Sequence, residues 1–99
     1  MYRAVVTIIA SFSNDPMPTR TFTMSKLVTE KECTNPDDAD MCRYVANQRA
    51  AEIFASIESL MRDQVHAYSL SGSDGSMTCL DPTKIISINV RADVEEIRQ

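Results

Sequence analysis

Three carboxylates within four residues form the densest group of potential ligands in the sequence. Asp37, Asp38 and Asp40 follow Asn35 and Pro36. Asn is a favoured helix cap, Pro fits the first helical position, and acids in a first turn are stabilised by the positive end of the helix dipole. That positive end disfavours a cation, and the segment lacks the glycine-punctuated spacing of a calcium loop. The sequence therefore predicts helix capping here and no metal site.

One histidine and three cysteines complete the groups that can do chemistry. His66 is the only histidine, so a multi-histidine metal cage cannot form. A nucleophilic pair of His66 with Cys42 or Cys79 stays open, although neither cysteine lies in a nucleophile motif. We interpret His66 as a favourable charge near a helix C-terminus and Cys33, Cys42 and Cys79 as small buried side chains. The odd cysteine count without a Cys-x-x-Cys pair favours a reducing, cytoplasmic location.

Residues 72–75 have the form Gly-x-x-Gly, which also occurs in loops that clamp nucleic-acid backbones. Such loops lie between helices and carry basic residues, whereas this segment carries only Asp74 and lies between two short apolar segments. We interpret it as a hairpin turn. No cofactor is expected from the sequence.

The acids are concentrated in one part of the chain. Residues 30–40 contain five acids and one lysine, which account for the whole formal net charge of −4. The ten basic residues are scattered, whereas a nucleic-acid binder needs them clustered on one face. Direct nucleic-acid binding is therefore not expected. No apolar stretch approaches the length of a membrane span, so no membrane association is expected either.

An amphipathic helix is predicted from Asn35 to about Gln64, because apolar residues recur there at helical spacing without interruption. The predicted core stripe comprises Cys42, Ala46, Ala50, Ile53, Ile57, Leu60 and Met61, with Val45 and Phe54 on its flanks.

Alternation of apolar and polar residues predicts strands at 2–12, 19–29, 67–70, 77–80 and 84–94. In the second strand Phe22, Met24 and Val28 define a buried face, and Lys26 among them predicts a bulge or an edge position. In the last strand the buried face comprises Ile86, Ile88, Val90, Ala92 and Val94. Val5, Ile9, Leu27 and Ile85 are expected on an uncovered second face among Thr and Ser.

These elements predict a single α+β domain over residues 1–99, of order ββαβββ. It is a two-layer sandwich with one long helix on a mostly antiparallel sheet.

The back of the helix is the surface most suited to binding. Opposite the core stripe, a mostly uncharged stripe recurs at helical spacing and comprises Met41, Tyr44, Gln48, Ala51 and Ala55. Met, Tyr and small residues on one stripe suit contact with a partner protein. Together with Asp37, Asp38 and Asp40 they form the predicted partner-binding surface.

We interpret the chain as a small, acidic, non-enzymatic interaction protein with a protein partner. Bacteriophage-encoded inhibitors of host nucleic-acid-handling or defence complexes are often proteins of this kind. A homodimer, formed through the helix back, the open sheet face or a sheet edge, is also an expectation. One alternative is a small-molecule-binding module or small enzyme with a pocket between helix and sheet or at a dimer seam. Its polar groups would be His66, Cys79, Tyr68 and the 72–75 loop. The other is a structural subunit of a larger assembly.

Overall fold

The strands and the helix follow one another in the predicted order ββαβββ. The computed structural model describes residues 1–14, 19–29, 35, 37–73, 75 and 77–97. Their elements are β1 (Tyr2–Asn14), β2 (Thr19–Val28), α1 (Ala39–Arg62), β3 (Tyr68–Ser71), β4 (Met77–Leu80) and β5 (Ile85–Glu96), with a 3₁₀ turn at Pro82–Lys84 before β5. The predicted α+β architecture is confirmed.

The strands form two antiparallel sheets. One sheet has the order β2-β1-β5, and β3 pairs with β4 in a separate hairpin. Helix α1 packs on β1 and β5. The hairpin lies on the helix side of the main sheet, because Leu70 of β3 belongs to the same core cluster as Ile53 and Ile57 of α1. Ser73, beside the hairpin turn, donates two hydrogen bonds of 2.7 Å to the Val28 carbonyl of β2.

The core stripe of the helix is confirmed over most of its length. Its buried residues are Cys42, Ala46, Ala50, Ile53 and Ile57, and they face Ala4, Val6, Ile8 and Ala10 of β1, which are also buried. Small residues in the first half of α1 allow the helix to lie close to the sheet. Leu60, Met61 and Val45 are half-buried, whereas Phe54 is 38% exposed. Phe54 was predicted on the flank of the core stripe, and it is exposed there.

The helix begins three residues later than predicted, at Ala39 rather than Pro36, because Asp38 caps it. The Asp38 carboxylate accepts hydrogen bonds from the backbone N–H groups of Asp40 and Met41, at 3.0 and 3.2 Å. Asn35 instead accepts from the N–H of Asp37 at 3.2 Å, in a turn that precedes the helix. Asn35 is thus not the cap. Asp37 and Asp38, which were predicted in the first turn, precede the helix, and Asp40 lies in its first turn instead. Pro36 lies outside the described residues.

The helix ends at Arg62 in a Schellman motif. Gln64 adopts a left-handed backbone with φ of 57°. Its N–H bonds the Met61 carbonyl at 3.2 Å, and the N–H of Val65 bonds the Leu60 carbonyl at 3.0 Å. This 5→2 and 6→1 pair satisfies carbonyls that have no partner within the helix. The position normally favours glycine, since a Cβ is strained at positive φ.

A bulge at the start of β5 exchanges the predicted positions of two isoleucines. Ser11 pairs with Ser87 but Phe12 pairs with Ile85, so Ile86 is the extra residue. Ile85 is consequently buried in the core, and Ile86 is 49% exposed. The predictions that Ile86 is buried and that Ile85 lies on the uncovered face are both wrong.

The face of the sheet opposite the helix was predicted to be uncovered, but its side chains are buried near Val5 and Val28. Val5 and Val28 are paired across β1 and β2, and each is only 2% exposed. Beside Val5, the Arg3 guanidinium lies 2.6 Å from the Glu95 carboxylate. The expectation of an uncovered face is therefore wrong at Val5. Ile9 is half-buried there.

Strand β2 is an edge strand, as Lys26 predicted, and its register with β1 continues through the Thr7–Lys26 pair without a bulge. Val28 is buried, but it pairs with Val5 on the second face of the sheet and not on the helix-packed face, so the predicted facing of β2 is wrong. Leu27 pairs with Val6, on the helix side of β1, rather than with a residue of the second face. The side chains of Phe22 and Met24 lie outside the described residues. So do residues 15–18 of the predicted loop.

In the described part of the chain, no helix combines the length and apolar character that crossing a lipid bilayer requires.

Candidate partner-binding surface

The predicted acidic residues surround the start of α1 and are all exposed. We call Asp37, Asp38 and Asp40 the acidic end. Their roles differ, because Asp38 is bound to two backbone N–H groups whereas Asp40 lies in the first turn of the helix. Asp37 precedes the cap and lies 3.9 Å from the α-amino group of Met1. Asp37 and Asp40 are therefore the carboxylates that can meet a partner without loss of the cap.

The predicted stripe on the back of the helix also faces solvent. We call Met41, Tyr44, Gln48, Ala51 and Ala55 the helix-back surface, and all five are exposed. Tyr44 is 58% exposed and Met41 37% exposed. The Nε2 group of Gln48 donates a hydrogen bond of 2.8 Å to the Tyr44 hydroxyl, one turn away. This bond restricts the rotamers of Tyr44 and holds its ring along the helix.

The acidic end and the helix-back surface are continuous. Tyr44 lies four residues after Asp40 and three after Met41, so its side chain is a neighbour of both on the helix surface. The structure therefore presents two carboxylates beside an exposed aromatic ring and a thioether. An exposed Tyr with a restricted rotamer is the kind of side chain that dominates binding energy at protein interfaces.

At its other end the helix-back surface opens into a groove. The groove has a volume of about 480 Å³, is largely open to solvent, and is lined by Ala55, Ser56, Ser59, Leu60 and Tyr68. It separates the second half of α1 from strand β3 and offers an apolar wall beside two hydroxyls. Ala55 belongs to both features, so the binding surface extends from the acidic end into a concavity. A pocket between helix and sheet was one of the alternatives, and Tyr68 is the residue of that alternative that lines this groove. The position of the groove depends on where the hairpin packs.

The polar groups considered for a small enzyme are divided between separate contacts. Cys79 is exposed, and its thiol lies 3.5 Å from the Ser69 hydroxyl. The Nδ1 atom of His66 instead lies 3.3 Å from the Thr83 hydroxyl and 3.8 Å from the Asp81 carboxylate. The contacts of His66 and Cys79 therefore involve different residues and do not describe a nucleophilic pair.

The contact of His66 with Asp81 and Thr83 was not predicted. Asp81 caps the 3₁₀ turn by accepting from the Thr83 hydroxyl at 2.6 Å and from the Thr83 N–H at 3.0 Å. The bond from the hydroxyl holds the pKa of Asp81 below its usual value. The Thr83 proton is thus directed at Asp81 rather than at His66, which indicates a cap rather than a relay. His66 lies just beyond the C-terminus of α1, and this contact is an additional one that the sequence interpretation did not include.

The cysteines behave differently from one another. The Cys42 thiol is buried and donates to the carbonyls of Tyr2 and Asn35, at 3.7 and 3.9 Å. Cys42 is therefore the small buried side chain that was predicted. For Cys79 the same prediction is wrong, since it is exposed on β4. Cys33 lies outside the described residues.

The 72–75 segment is a hairpin turn, as predicted. The N–H of Gly75 bonds the Gly72 carbonyl at 3.2 Å, and Gly75 has a φ of 88°, which favours glycine. Among the residues whose placement is described, no group of three or more His, Cys, Asp or Glu side chains is arranged to hold a metal ion.

No family model, curated protein or solved structure matches this chain.

Proposed function

We propose that this protein is a non-enzymatic interaction protein that binds a partner protein through the acidic end and the helix-back surface. The observation that carries the proposal is the exposure of Tyr44 and Met41 directly beside Asp40, on a helix whose opposite side already packs the core. These side chains contribute nothing to the core, and a partner would bury them. The partner is expected to carry basic residues that face Asp37 and Asp40.

A stoichiometric inhibitor is the more specific form of this proposal. Carboxylates at a rigid helix end can occupy a basic groove that otherwise holds nucleic acid, and they also steer association with a basic partner. In this form, added DNA or RNA competes with the protein for its partner. If the protein were instead a subunit of an assembly whose nucleic-acid site lies away from it, added DNA or RNA would not displace it from its partner.

The partner is identified first by a tagged pull-down from a lysate of the source organism or its host, with and without nuclease. A single stoichiometric protein that survives nuclease treatment is the expected result. Affinity for that partner is then measured by isothermal titration calorimetry with purified variants.

The first variant, Tyr44→Arg, places a charge at the centre of the surface. The expected loss is about thirtyfold in Kd, which corresponds to about 2 kcal/mol for a central aromatic contact. Gln48→Ala, which removes the hydrogen bond to the ring but keeps the ring, is expected to have a smaller effect. Wild-type affinity in Tyr44→Arg, with the fold intact by circular dichroism, would rule out the helix-back surface.

The second variant reverses the charge of the acidic end without removing the cap. Asp37→Lys and Asp40→Lys are combined with Asp38→Asn, because Asn caps helices about as well as Asp. Binding should weaken and lose much of its dependence on salt concentration. Asp63→Lys is the matched control, since it makes a charge reversal at the opposite end of the helix. Equal loss of binding in the control would show a general charge effect instead of a local one.

The groove between Leu60 and Tyr68 supports a second candidate, a small-molecule-binding module. Its volume falls within the usual range of ligand pockets, although it is more open than most of them. A ligand would raise the melting temperature by mass action, so a thermal-shift screen with metabolites and nucleotides tests this candidate. A hit should be lost in Leu60→Asp and retained in Tyr44→Arg.

A further inference from the structure

The outer edge of β5 is a long strand edge without a strand beside it in the described part of the chain. β5 is 12 residues long and lies at one end of the order β2-β1-β5. It contains no Lys, Pro or Gly, and its bulge lies at its first residues. Natural proteins usually protect a long edge with charged side chains, especially Lys, with Pro or with bulges. The charges of β5 are Arg91, Asp93, Glu95 and Glu96, so residues 85–90 are uncharged. The edge is therefore suited to pairing with another strand.

Two backbone hydrogen bonds show which groups of β5 point outward. The N–H of Thr29 bonds the Ala4 carbonyl at 2.9 Å, and the N–H of Ile97 bonds the Met1 carbonyl at 2.8 Å. Successive residues of a strand bond alternately to its two neighbours, so even residues of β1 bond to β2 and odd residues bond to β5. In β5 beyond the bulge, the odd residues bond to β1. The backbone N–H and C=O groups that point away from β1 therefore belong to Ile88, Val90, Ala92 and Val94.

Apolar side chains follow the same edge. Ile88, Val90 and Ala92 pack against the core from the helix side of β5, but each remains half-exposed. Phe54 is 38% exposed. Ser56 lines the groove beside the hairpin, and two residues along a helix correspond to a rotation of about 160° around its axis. Phe54 and Ser56 therefore lie on opposite flanks of α1. Since the hairpin flanks α1 on the β2 side, Phe54 lies on the flank toward β5. A strand added to this edge would complete the burial of this apolar strip.

We propose that the occupant of this edge is β5 of a second copy of the chain, paired antiparallel about a two-fold axis through Ala92. In that register Arg91 faces Asp93 of the second copy and Asp93 faces its Arg91, while Val90 faces Val94. Opposite charges across an antiparallel pair stabilise it, and like charges destabilise it. An axis through Arg91 or through Asp93 would set like charges face to face. An axis through Ala92 brings opposite charges together without setting like charges face to face, so the charge pattern favours it.

The dimer has a six-stranded sheet with both helices on one face, because the axis is perpendicular to the sheet. The two acidic ends and helix-back surfaces then point to the same side. A partner with two sites would be bound bivalently. The dimer does not depend on the proposed partner, since it uses the edge of the sheet and not the back of the helix.

The first test is Ala92→Pro, which removes an outward N–H but no bond to β1, so the monomer should fold. Sedimentation equilibrium should give twice the 11.1 kDa chain mass for wild type and the mass of one chain for the variant. Ala92→Ser keeps the N–H and should remain dimeric. A wild-type monomer at all concentrations, or a folded Ala92→Pro dimer, would overturn the proposal.

The second test is a charge exchange, which is independent of any strain from proline. Arg91→Asp should raise the dimer dissociation constant about tenfold, because two symmetric pairs become repulsive. Adding Asp93→Arg to it should restore wild-type dimerisation. Failure of the double variant to recover, with a native circular dichroism spectrum, would contradict the proposed register.

Hydrogen exchange locates the contact independently of mass. In the dimer, the amides of Val90, Ala92 and Val94 should be protected, whereas in Ala92→Pro those of Val90 and Val94 should exchange at rates of exposed groups. The amides of Arg91 and Asp93 should stay protected in both, because they bond to β1. Fast exchange of the outward amides in a wild-type dimer would place the dimer contact elsewhere.

Discussion

The two sides of α1 carry similar residue types but have different physical roles. On the sheet side, Ala46, Ile53 and Ile57 are at most 1% exposed. On the opposite side, Met41 and Tyr44 are exposed although they are also largely apolar. Apolar residues stabilise a fold only where they leave water. The sheet side therefore stabilises this protein, and the back of the helix is free to contribute to binding without a cost in stability.

The largest expected effect is a loss of core packing. Ile57→Ala should lower the free energy of unfolding by about 2–5 kcal/mol, since it leaves a cavity beneath a fully buried side chain. Urea denaturation measures the change. Ile86→Ala is the matched control, because the bulge exposes Ile86, and it should change stability by less than about 0.5 kcal/mol. Equal losses in the two variants would contradict the bulge.

The next effect concerns the start of the helix. Asp38→Ala should lower the free energy of unfolding by about 1 kcal/mol, because two backbone N–H groups lose their acceptor. Asp38→Asn should restore most of the stability. Asn35→Ala should cost less, since Asn35 bonds only a turn that precedes the helix. A greater loss from Asn35→Ala than from Asp38→Ala would make Asn35 the cap after all.

At the other end of the helix, a substitution should stabilise the protein. Gln64→Gly removes a Cβ from a left-handed backbone and should raise the free energy of unfolding by about 0.5–1 kcal/mol. Thermal denaturation would show an increase of a few degrees in Tm. Gln64→Ala, which keeps the Cβ, should give no such increase. A loss of stability in Gln64→Gly would mean that the Gln64 side chain makes a contribution larger than the strain.

The smallest stability effect is expected on the back of the helix. Tyr44→Ala should change the free energy of unfolding by less than about 0.5 kcal/mol, because its ring is mostly in water. The same denaturation assay applies. A loss comparable to that of Ile57→Ala would show that the two sides of α1 do not have separate roles.

One pH effect is expected at the turn before β5. The bond from Thr83 lowers the folded-state pKa of Asp81, so the stability it contributes is present above the ordinary aspartate pKa and is lost as the pH falls through the lowered value. Thr83→Val should raise the Asp81 pKa toward its ordinary value, and Thr83→Ser should not. An NMR titration of the Asp81 carboxyl measures both. An unchanged pKa in Thr83→Val would show that the hydroxyl is not the cause.

Much of the proposed binding surface could be predicted from sequence because it lies on one regular element. Helical periodicity alone places Met41, Tyr44 and Ala55 on the side opposite Ile53 and Ile57. The position of the groove beside Ala55, like that of the edge of β5, could not be predicted, because both depend on which elements become neighbours. The contact of His66 with Asp81 and Thr83 is missed for the same reason.

The sequence by itself determined the elements and their order, since the periods of strands and helices are local properties of the chain. It also determined which side of α1 packs the core. Only the tertiary structure decided which of Ile85 and Ile86 is buried, because that choice depends on the register of β5 against β1. It likewise decided the cap, where Asn35 and Asp38 were both chemically suitable and only the path of the chain into the helix distinguishes them. Local patterns specify conformation, whereas register and packing are settled between segments far apart in sequence.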